Sequence, residues 1–224
     1  MIPLGMKSKI VQFLYQKNYD KLVKGLLINQ KLNKVFLDIG SGLGFLKPVV
    51  EKYKGHYVGL EPRKQAIQFA LNKYKGGHLT FHQGFFPEDL PKDISSNSFV
   101  GGGCIVSLTT LDEVKDKNNF LQGVYNLSSR QTKIFIAVRN KDWLLSRHNE
   151  VQGVTGDILK DLNVKEYKEL FYKNGFDCMK VAKTPRPLIT SFTMNGIKNF
   201  IIIIIEKFIS IEKSYMVGFL LKKI

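Results

Sequence analysis

Residues 35–45 read VFLDIGSGLGF, a short apolar run of β-branched and aromatic residues that breaks into glycines at 40, 42 and 44. An apolar run of this length bounded by turn residues predicts a buried strand, here 34–39. Three glycines at alternate positions let the chain bend sharply and leave backbone without Cβ atoms, against which a ligand can lie. The helix predicted next carries Pro48 in its first turn, where the missing N–H and fixed φ do no harm. Strand, tight turn and helix in this order open a parallel sheet whose ligands bind at the carboxyl ends of the strands. A second strand is predicted over 56–61, ending in Glu61 about 20 residues beyond the glycines. From a strand tip there, a carboxylate can accept hydrogen bonds from both hydroxyls of a ribose, so the pair implies a cofactor that contains a nucleoside.

Outward from this unit, short apolar runs alternate with helix-period segments. Further strands are expected at 79–82, 98–107, 133–139, 177–184 and 215–222, the last reading YMVGFLLK from 215. An opening helix is expected over 8–27, with Ile10, Phe13, Leu14, Leu22 and Leu26 on its apolar side. Another runs through Ala66, Ile67, Ala70, Leu71 and Tyr74 and stops at Gly76 and Gly77. A third is expected over 112–127. Asn163 with Glu166 three residues later has the form of a capping box and predicts a helix to Lys173, closed by Gly175. This alternation gives the fold class: α/β, a doubly wound sheet with helices on both faces. The chain is expected to form a single domain over 1–224, with a helical segment over 1–33 and an insertion over 185–213 between the last two strands.

Lys and Arg number 34 against 19 Asp and Glu, a formal net charge of +15 that would draw the protein toward phosphate or anionic lipid. The basic residues are scattered, with no run of five or more, which favours a solvated basic surface over a nucleic-acid groove. Cys104 and Cys178 have neither the spacing of zinc ligands nor that of a disulfide framework, so no metal is expected. Residues 1–9 lack a secretory pattern, and the longest apolar run, 200–205, falls short of the roughly 20 residues that cross a bilayer. A cytoplasmic protein is expected.

The glycine spacing is GxGxG, and the position where a dinucleotide fingerprint has its last glycine is Phe45. VFLDIGSGLGF together with GLEP at 59–62 resembles the class I, Rossmann-like S-adenosylmethionine-dependent methyltransferases, clearly over 34–139 and more loosely over the last two strands. The resemblance implies a seven-stranded, mostly parallel sheet with an antiparallel last strand inserted beside the sixth, and S-adenosylmethionine as the cofactor. By it, Asp38, Gly40, Ser41, Gly42 and Gly44 surround the methionyl part, and Glu61, followed by Pro62, holds the ribose. After the third strand the family often has Gly-Asp facing the adenine amino group, whereas this chain has Gly84 and Phe85, so Phe85 or Phe86 is expected to wall the adenine. Phe99 is followed by Val100 and three glycines where the family's fourth strand usually begins with an Asp. Val106 and Ser107, at the carboxyl end of that strand, are expected beside the cofactor.

A sulfonium activates its own methyl group, so a protein of this kind mainly supplies positioning and a dry site, and a catalytic base is optional. No catalytic residue is singled out. Trp143 and His148, in the long connection after the fifth strand, are candidate contacts to the acceptor, and Asp112 and Glu113 are either substrate contacts or acids at a helix N-terminus. Residues 107–110 read SLTT rather than the Asn/Asp-Pro-Pro-aromatic run of base amino-methylating relatives, and neither cysteine follows a proline as pyrimidine C5 chemistry requires. The insertion contains five consecutive isoleucines, apolar on every side, which must be buried, packed on a partner or set against lipid. With the Trp143 loop it could form a lid over an apolar acceptor, with peripheral membrane contact through 197–211. The expected activity is methyl transfer to a small-molecule, sugar- or lipid-linked acceptor. The alternatives are a basic RNA or DNA methyltransferase, a cofactor-binding module without activity and, third, a dehydrogenase; the oligomeric state is left open.

Overall fold

The computed structural model describes residues 19–27, 34–74, 81–142, 162–183, 210–211, 214 and 216–224. In chain order the elements are β1 (Val35–Ile39), α1 (Lys47–Lys52), β2 (His56–Glu61), α2 (Lys64–Lys73), β3 (Phe81–Gln83), a 3-10 turn (Ser96–Phe99), β4 (Cys104–Leu108), α3 (Lys117–Leu127), β5 (Lys133–Arg139), α4 (Val164–Lys173), β6 (Phe176–Lys183) and β7 (Met216–Lys223). Residues 19–27 are helical, within the opening helix expected there.

The strands form one seven-stranded sheet in the order β3-β2-β1-β4-β5-β7-β6. The β1–β2, β1–β4, β2–β3 and β4–β5 pairs are parallel, and β7 runs antiparallel to both β5 and β6. Strands covered on both faces read as continuous apolar runs, and the alternation of side chains then sorts each run onto two cores. Leu37, Ile39, Val58, Leu60, Ile105, Ile134 and Ile136 join Phe120, Leu121 and Val124 of α3 and Tyr167 and Phe171 of α4 on one face. Phe36, Tyr57, Cys104, Val106 and Phe135 join Val49 and Val50 of α1, Ile67 and Ala70 of α2, and Val23 and Leu26 on the other. Each large side chain withdrawn from water in this way contributes roughly 1.5–3 kcal/mol. The covering helices change face between the neighbours β1 and β4, and at such a switch point the loops diverge and open a crevice at the carboxyl ends.

Two expected elements are shorter than the sequence suggests. The expected strand 98–107 begins only at Cys104, because Ser95 and Ser98 close a capping box around the 3-10 turn and Gly101, Gly102 and Gly103 then carry the chain at positive φ. The expected helix 112–127 begins at Lys117, where the Asp116 side chain accepts a hydrogen bond from the Asn119 N–H as N-cap. The capping box at Asn163 and Glu166 forms, with both reciprocal bonds made at 2.9 and 2.7 Å. Among the described residues no helix is long and apolar enough to cross a membrane. Most of the insertion 185–213 lies outside the described residues; Ile211 packs against the core on the α3–α4 face.

Candidate functional site

The loop after β1 is fastened to the end of β2: Gly40 and Ser41 both donate backbone N–H groups to the Leu60 carbonyl, at 2.8 and 3.1 Å. Gly40 has φ +78°, and a Cβ there would lie 1.8 Å from Thr110 Oγ1, so the turn after β4 packs directly on bare backbone. Thr110 Oγ1 in turn donates to the Ile39 carbonyl at 3.0 Å. At Gly42 the situation reverses, because among the described residues the only group within 4 Å of a Cβ would be the Arg63 guanidinium, at 3.7 Å. One side of the loop is therefore packed against the protein and the other is open to a ligand.

Two buried carboxylates flank that open side. Asp38, 3% exposed, accepts one hydrogen bond from the Tyr57 hydroxyl at 2.7 Å. Tyr57 is held in place by Phe36, stacked at 6.4 Å, and Phe81, tilted at 5.5 Å. Burial pushes the Asp38 carboxyl up to about 7; the Tyr57 hydrogen bond pulls it down, and the negative charge of Glu61 adds to the rise. Glu61, 2% exposed, is better supplied. Its Oε2 accepts from the Gly42 N–H at 2.9 Å, and its Oε1 from the Arg63 N–H at 3.1 Å and Arg63 Nε at 2.6 Å. Burial works to raise the Glu61 pKa, yet the bonds from Arg63 and Gly42 outweigh it and hold the carboxyl below its ordinary value.

The tips of β3 and β4 complete the crevice. Glu61 stands opposite Gln83 in the sheet, the Gly84 N–H donates to the Glu61 carbonyl at 3.2 Å, and the Pro62 carbonyl accepts from Gln83 Nε2 at 3.4 Å. Asp89 shapes the turn by accepting from the Phe85 N–H at 2.9 Å. The side chain of Phe85 is left 65% exposed, whereas Phe86 is 9% exposed and packs edge-on against Phe120 at 5.1 Å. Of the two aromatics expected as a wall, Phe85 faces outward and Phe86 belongs to the core. Val106 pairs with Asp38 and Ser107 with Ile39. The hydroxyls of Ser41 and Ser107 are buried and have no hydrogen-bond partner among the described residues, the condition of a polar group that awaits a ligand or a water.

Asp38, the glycine loop, Glu61, Pro62, Gly84, Phe85, Val106 and Ser107 thus converge on the carboxyl ends of β1, β2, β3 and β4. Trp143 and His148 lie outside the described residues, as do 197–209 of the segment expected at a membrane. Asp112 is not a helix N-terminal acid, since α3 begins at Lys117 with Asp116 as its cap. It is buried, its Oδ1 accepts from the Tyr167 hydroxyl at 3.0 Å, and its Oδ2 accepts from the Arg139 N–H at 2.9 Å beside the Arg139 guanidinium at 3.5 Å. Tyr57, Gly59, Arg63 and Thr110 are site residues the sequence reading did not single out. Period-two alternation places 57, 59 and 61 on one face of β2, a signal that could have found the first two. A Cβ on Gly59 would come within 2.8 Å of Ser41 Oγ and 3.0 Å of the Tyr57 hydroxyl. Among the described residues no group of three or more His, Cys, Asp or Glu could hold a metal.

A family model for a methyltransferase domain matches residues 30–184, a span that includes every strand but β7 and both crevice carboxylates. Comparison with curated proteins gave no match. A SAM dependent methyltransferase from Aquifex aeolicus superposes with a TM-score of 0.60 at 14% identity, over 96% of this chain and 98% of that one. A possible histamine N-methyltransferase from Thermotoga maritima gives a TM-score of 0.62 at 17% identity, over 96% and 92% of the two chains. The plantazolicin methyltransferase BpumL, solved with SAH and a triazolic desmethylPZN analog, gives 0.62 at 16% identity, over 96% and 85%. At these identities the likeness establishes the fold, and the family match establishes the rest: the chain belongs to the methyltransferase domain family and carries the class I, Rossmann-like fold of S-adenosylmethionine-dependent methyltransferases.

Proposed function

We propose that this methyltransferase takes its methyl group from S-adenosylmethionine and delivers it to a small-molecule, sugar- or lipid-linked acceptor. The observation that carries the reading is the pair of buried carboxylates, Asp38 and Glu61, on either side of the open backbone at Gly42. The residues present fit that cofactor. Glu61, held ionised by its hydrogen bonds, suits a ribose diol, and Asp38, short of partners, suits the cationic amino-acid end. Ser41 contributes a buried hydroxyl without a partner among the described residues, and Phe85 an exposed ring for the adenine face.

When bound, S-adenosylmethionine supplies a methyl group on a sulfonium, which leaves readily as a thioether. The work of the chain is then to bind, orient and exclude water. The carboxylate of Glu61 fixes the sugar, and the bare backbone at 42–44 allows close approach of the methionyl part. Val106 and Ser107, buried at the tip of β4, wall the crevice from the acceptor side. The hydroxyls of Thr109 and Thr110 donate to backbone carbonyls, of Leu108 at 2.6 Å and Ile39 at 3.0 Å, so the two threonines of the SLTT turn are spent on fixing the crevice rather than on proton transfer.

The chemistry of the cysteines and lysines supports a non-nucleic-acid acceptor. Cys104 is buried at the first position of β4, away from the carboxyl ends of the strands, and burial pushes its thiol up to about 12, which does not suit a pyrimidine nucleophile. At the opposite end of the sheet, Lys34, Lys133 and Lys223 point their ammonium groups at the carbonyls of Val100, Gly25 and Tyr125, at 3.0, 3.1 and 2.8 Å. Those ammonium groups fasten the ends of the opening helix and of α3 and the turn before β4.

Calorimetric titration with S-adenosylmethionine and S-adenosylhomocysteine tests the cofactor reading. Glu61→Ala is expected to weaken both ligands by on the order of 1–3 kcal/mol, roughly 5- to 150-fold. Unchanged affinity would remove Glu61 from the site. Incubation with methyl-labelled cofactor and fractionated cell extract tests the acceptor: label in the small-molecule or lipid fraction supports the reading, and label confined to RNA or DNA overturns it.

A further inference from the structure

Arg63 stands two residues beyond Glu61, at the N-cap of α2, with φ −76° and ψ 109°. Its side chain turns back onto the carboxylate it follows: Nε donates to Oε1 at 2.6 Å and Nη2 to Oε2 at 3.4 Å. With the Arg63 N–H on Oε1 at 3.1 Å and the Gly42 N–H on Oε2 at 2.9 Å, both oxygens of Glu61 are engaged. The two partners are placed very differently, the Glu61 side chain being 3% exposed and that of Arg63 73%. Nη2 also lies 3.7 Å from the point a Cβ on Gly42 would occupy, so the guanidinium reaches from the tip of β2 over the open point of the loop. From the other wall of the crevice, Glu113 in the turn after β4 adds its negative field to that of Glu61 and helps hold the guanidinium charged.

A ribose diol needs the same two oxygens that Arg63 now holds. A buried carboxylate without a counter-charge is costly, so Glu61 gains from the arginine, whose exposed side chain can leave without disturbing the core. We propose that Arg63 is a displaceable latch on the cofactor crevice: it holds Glu61 in its binding position while the site is empty and gives up the carboxylate when the ribose hydroxyls arrive. The inference rests on the cofactor reading given above. It has a consequence for selectivity, because a ligand that lacks hydroxyls matched to Glu61 has nothing with which to displace the arginine. The latch also lowers affinity for the correct ligand by the strength of the pair it breaks, and Glu113 remains across the crevice to attract the released guanidinium.

The test is calorimetric titration of the full chain with S-adenosylhomocysteine, comparing wild type with Arg63→Ala and Arg63→Gln. Both variants are expected to bind more tightly, by about 3- to 10-fold, since the competitor for Glu61 is gone. Added salt, which screens the pair from the exposed arginine's side, should narrow the difference between wild type and variants. In a Glu61→Gln background, Arg63→Ala should change affinity less than 2-fold, roughly the precision of such a titration. Equal or weaker binding by both Arg63 variants, with melting curves that show them folded, overturns the latch. If Arg63→Ala fails to fold, Arg63→Gln alone decides the matter, since it keeps a polar side chain of similar length. Absence of any binding by wild type is a different failure, that of the cofactor reading itself.

Discussion

Asp38 and Asp112 are both buried carboxylates at the carboxyl end of the sheet, and they keep very different company. Asp112 accepts from the Tyr167 hydroxyl and the Arg139 backbone and sits beside the Arg139 guanidinium, which ties α4, the end of β5 and the turn after β4 together. Among the described residues Asp38 has one side-chain hydrogen bond, from Tyr57, and it faces the like charge of Glu61. Burial is the same for both, so what separates them is supply of partners. A buried charge whose lone pairs are filled by the fold is a structural fastening, and one left short is held ready for a ligand that brings the missing donors. The same contrast separates Thr110, whose hydroxyl is spent on the Ile39 carbonyl, from Ser107 one turn away, whose hydroxyl finds no partner among the described residues.

The largest effect expected from this contrast is on stability, at Asp112. Asp112→Ala removes the acceptor of the Tyr167 hydroxyl and of the Arg139 N–H together with the carboxylate beside the Arg139 guanidinium, and is expected to lower the unfolding free energy by about 3–5 kcal/mol. Tyr167→Phe removes the hydroxyl bond to Asp112 but leaves the carboxylate in place, and should cost about 1–3 kcal/mol. In either variant the fraction that remains folded should bind cofactor with wild-type affinity, since neither residue lies in the crevice. Chemical denaturation and titration of the same samples check both halves. A selective loss of cofactor affinity with unchanged stability would break the division between structural and ligand-ready carboxylates.

Next in size is Gly40→Ala, aimed at the packed side of the loop. The new methyl group would stand 1.8 Å from Thr110 Oγ1 at φ +78°, so either the loop or the turn after β4 must move. The strain and overpacking together are expected to cost about 2–4 kcal/mol, and the moved loop should weaken cofactor binding as well. Gly42→Ala meets nothing closer than the Arg63 guanidinium, and its penalty should be confined to backbone strain of about 1 kcal/mol in stability, with the larger loss in affinity. A thermal melt and a titration for each variant separate the two sides of the loop. Equal profiles would contradict the distinction between them.

How much of this was legible in the sequence follows the reach of the interactions. β1, β2 and β5 are continuous apolar runs with turn residues at their ends, and their limits fall within a residue of expectation. Pro48 and the Asn163–Glu166 box are local signals as well, and both stand where expected. α3 starts at Lys117 rather than at 112 because Asp116 caps it, while Asp112, the acid expected at its start, is engaged elsewhere. Only a partner 55 residues away, Tyr167, shows that Asp112 is taken elsewhere. Likewise the apolar Phe99 and Val100 suggested an early β4, while the three glycines behind them turn the chain. Within the site, the glycine loop and Glu61 were readable from spacing. The choice between Phe85 and Phe86 depended on which ring Phe120 receives, and the parts played by Tyr57, Arg63 and Thr110 depended on strand register and on a turn that packs across the sheet.

The smallest effect expected, and the one that sharpens the comparison most directly, is a pH dependence owed to Asp38. Its folded-state pKa, raised by burial to about 7, lies above the ordinary value of 3.8. Between these two values the folded empty protein keeps a proton that the unfolded chain has released, so stability falls as pH rises through the window and levels off above about 7. Asp38→Asn should flatten that part of the profile, while Asp112→Asn should leave it in place. Cofactor binding runs in the opposite sense, because a cationic group beside Asp38 favours the carboxylate: affinity should rise with pH up to about 7, and binding below that pH should release a fraction of a proton. Titration calorimetry in two buffers of different ionisation enthalpy measures the released proton. Its absence in wild type, or its persistence in Asp38→Asn, would show that the sparsely partnered carboxylate is not the group that meets the ligand.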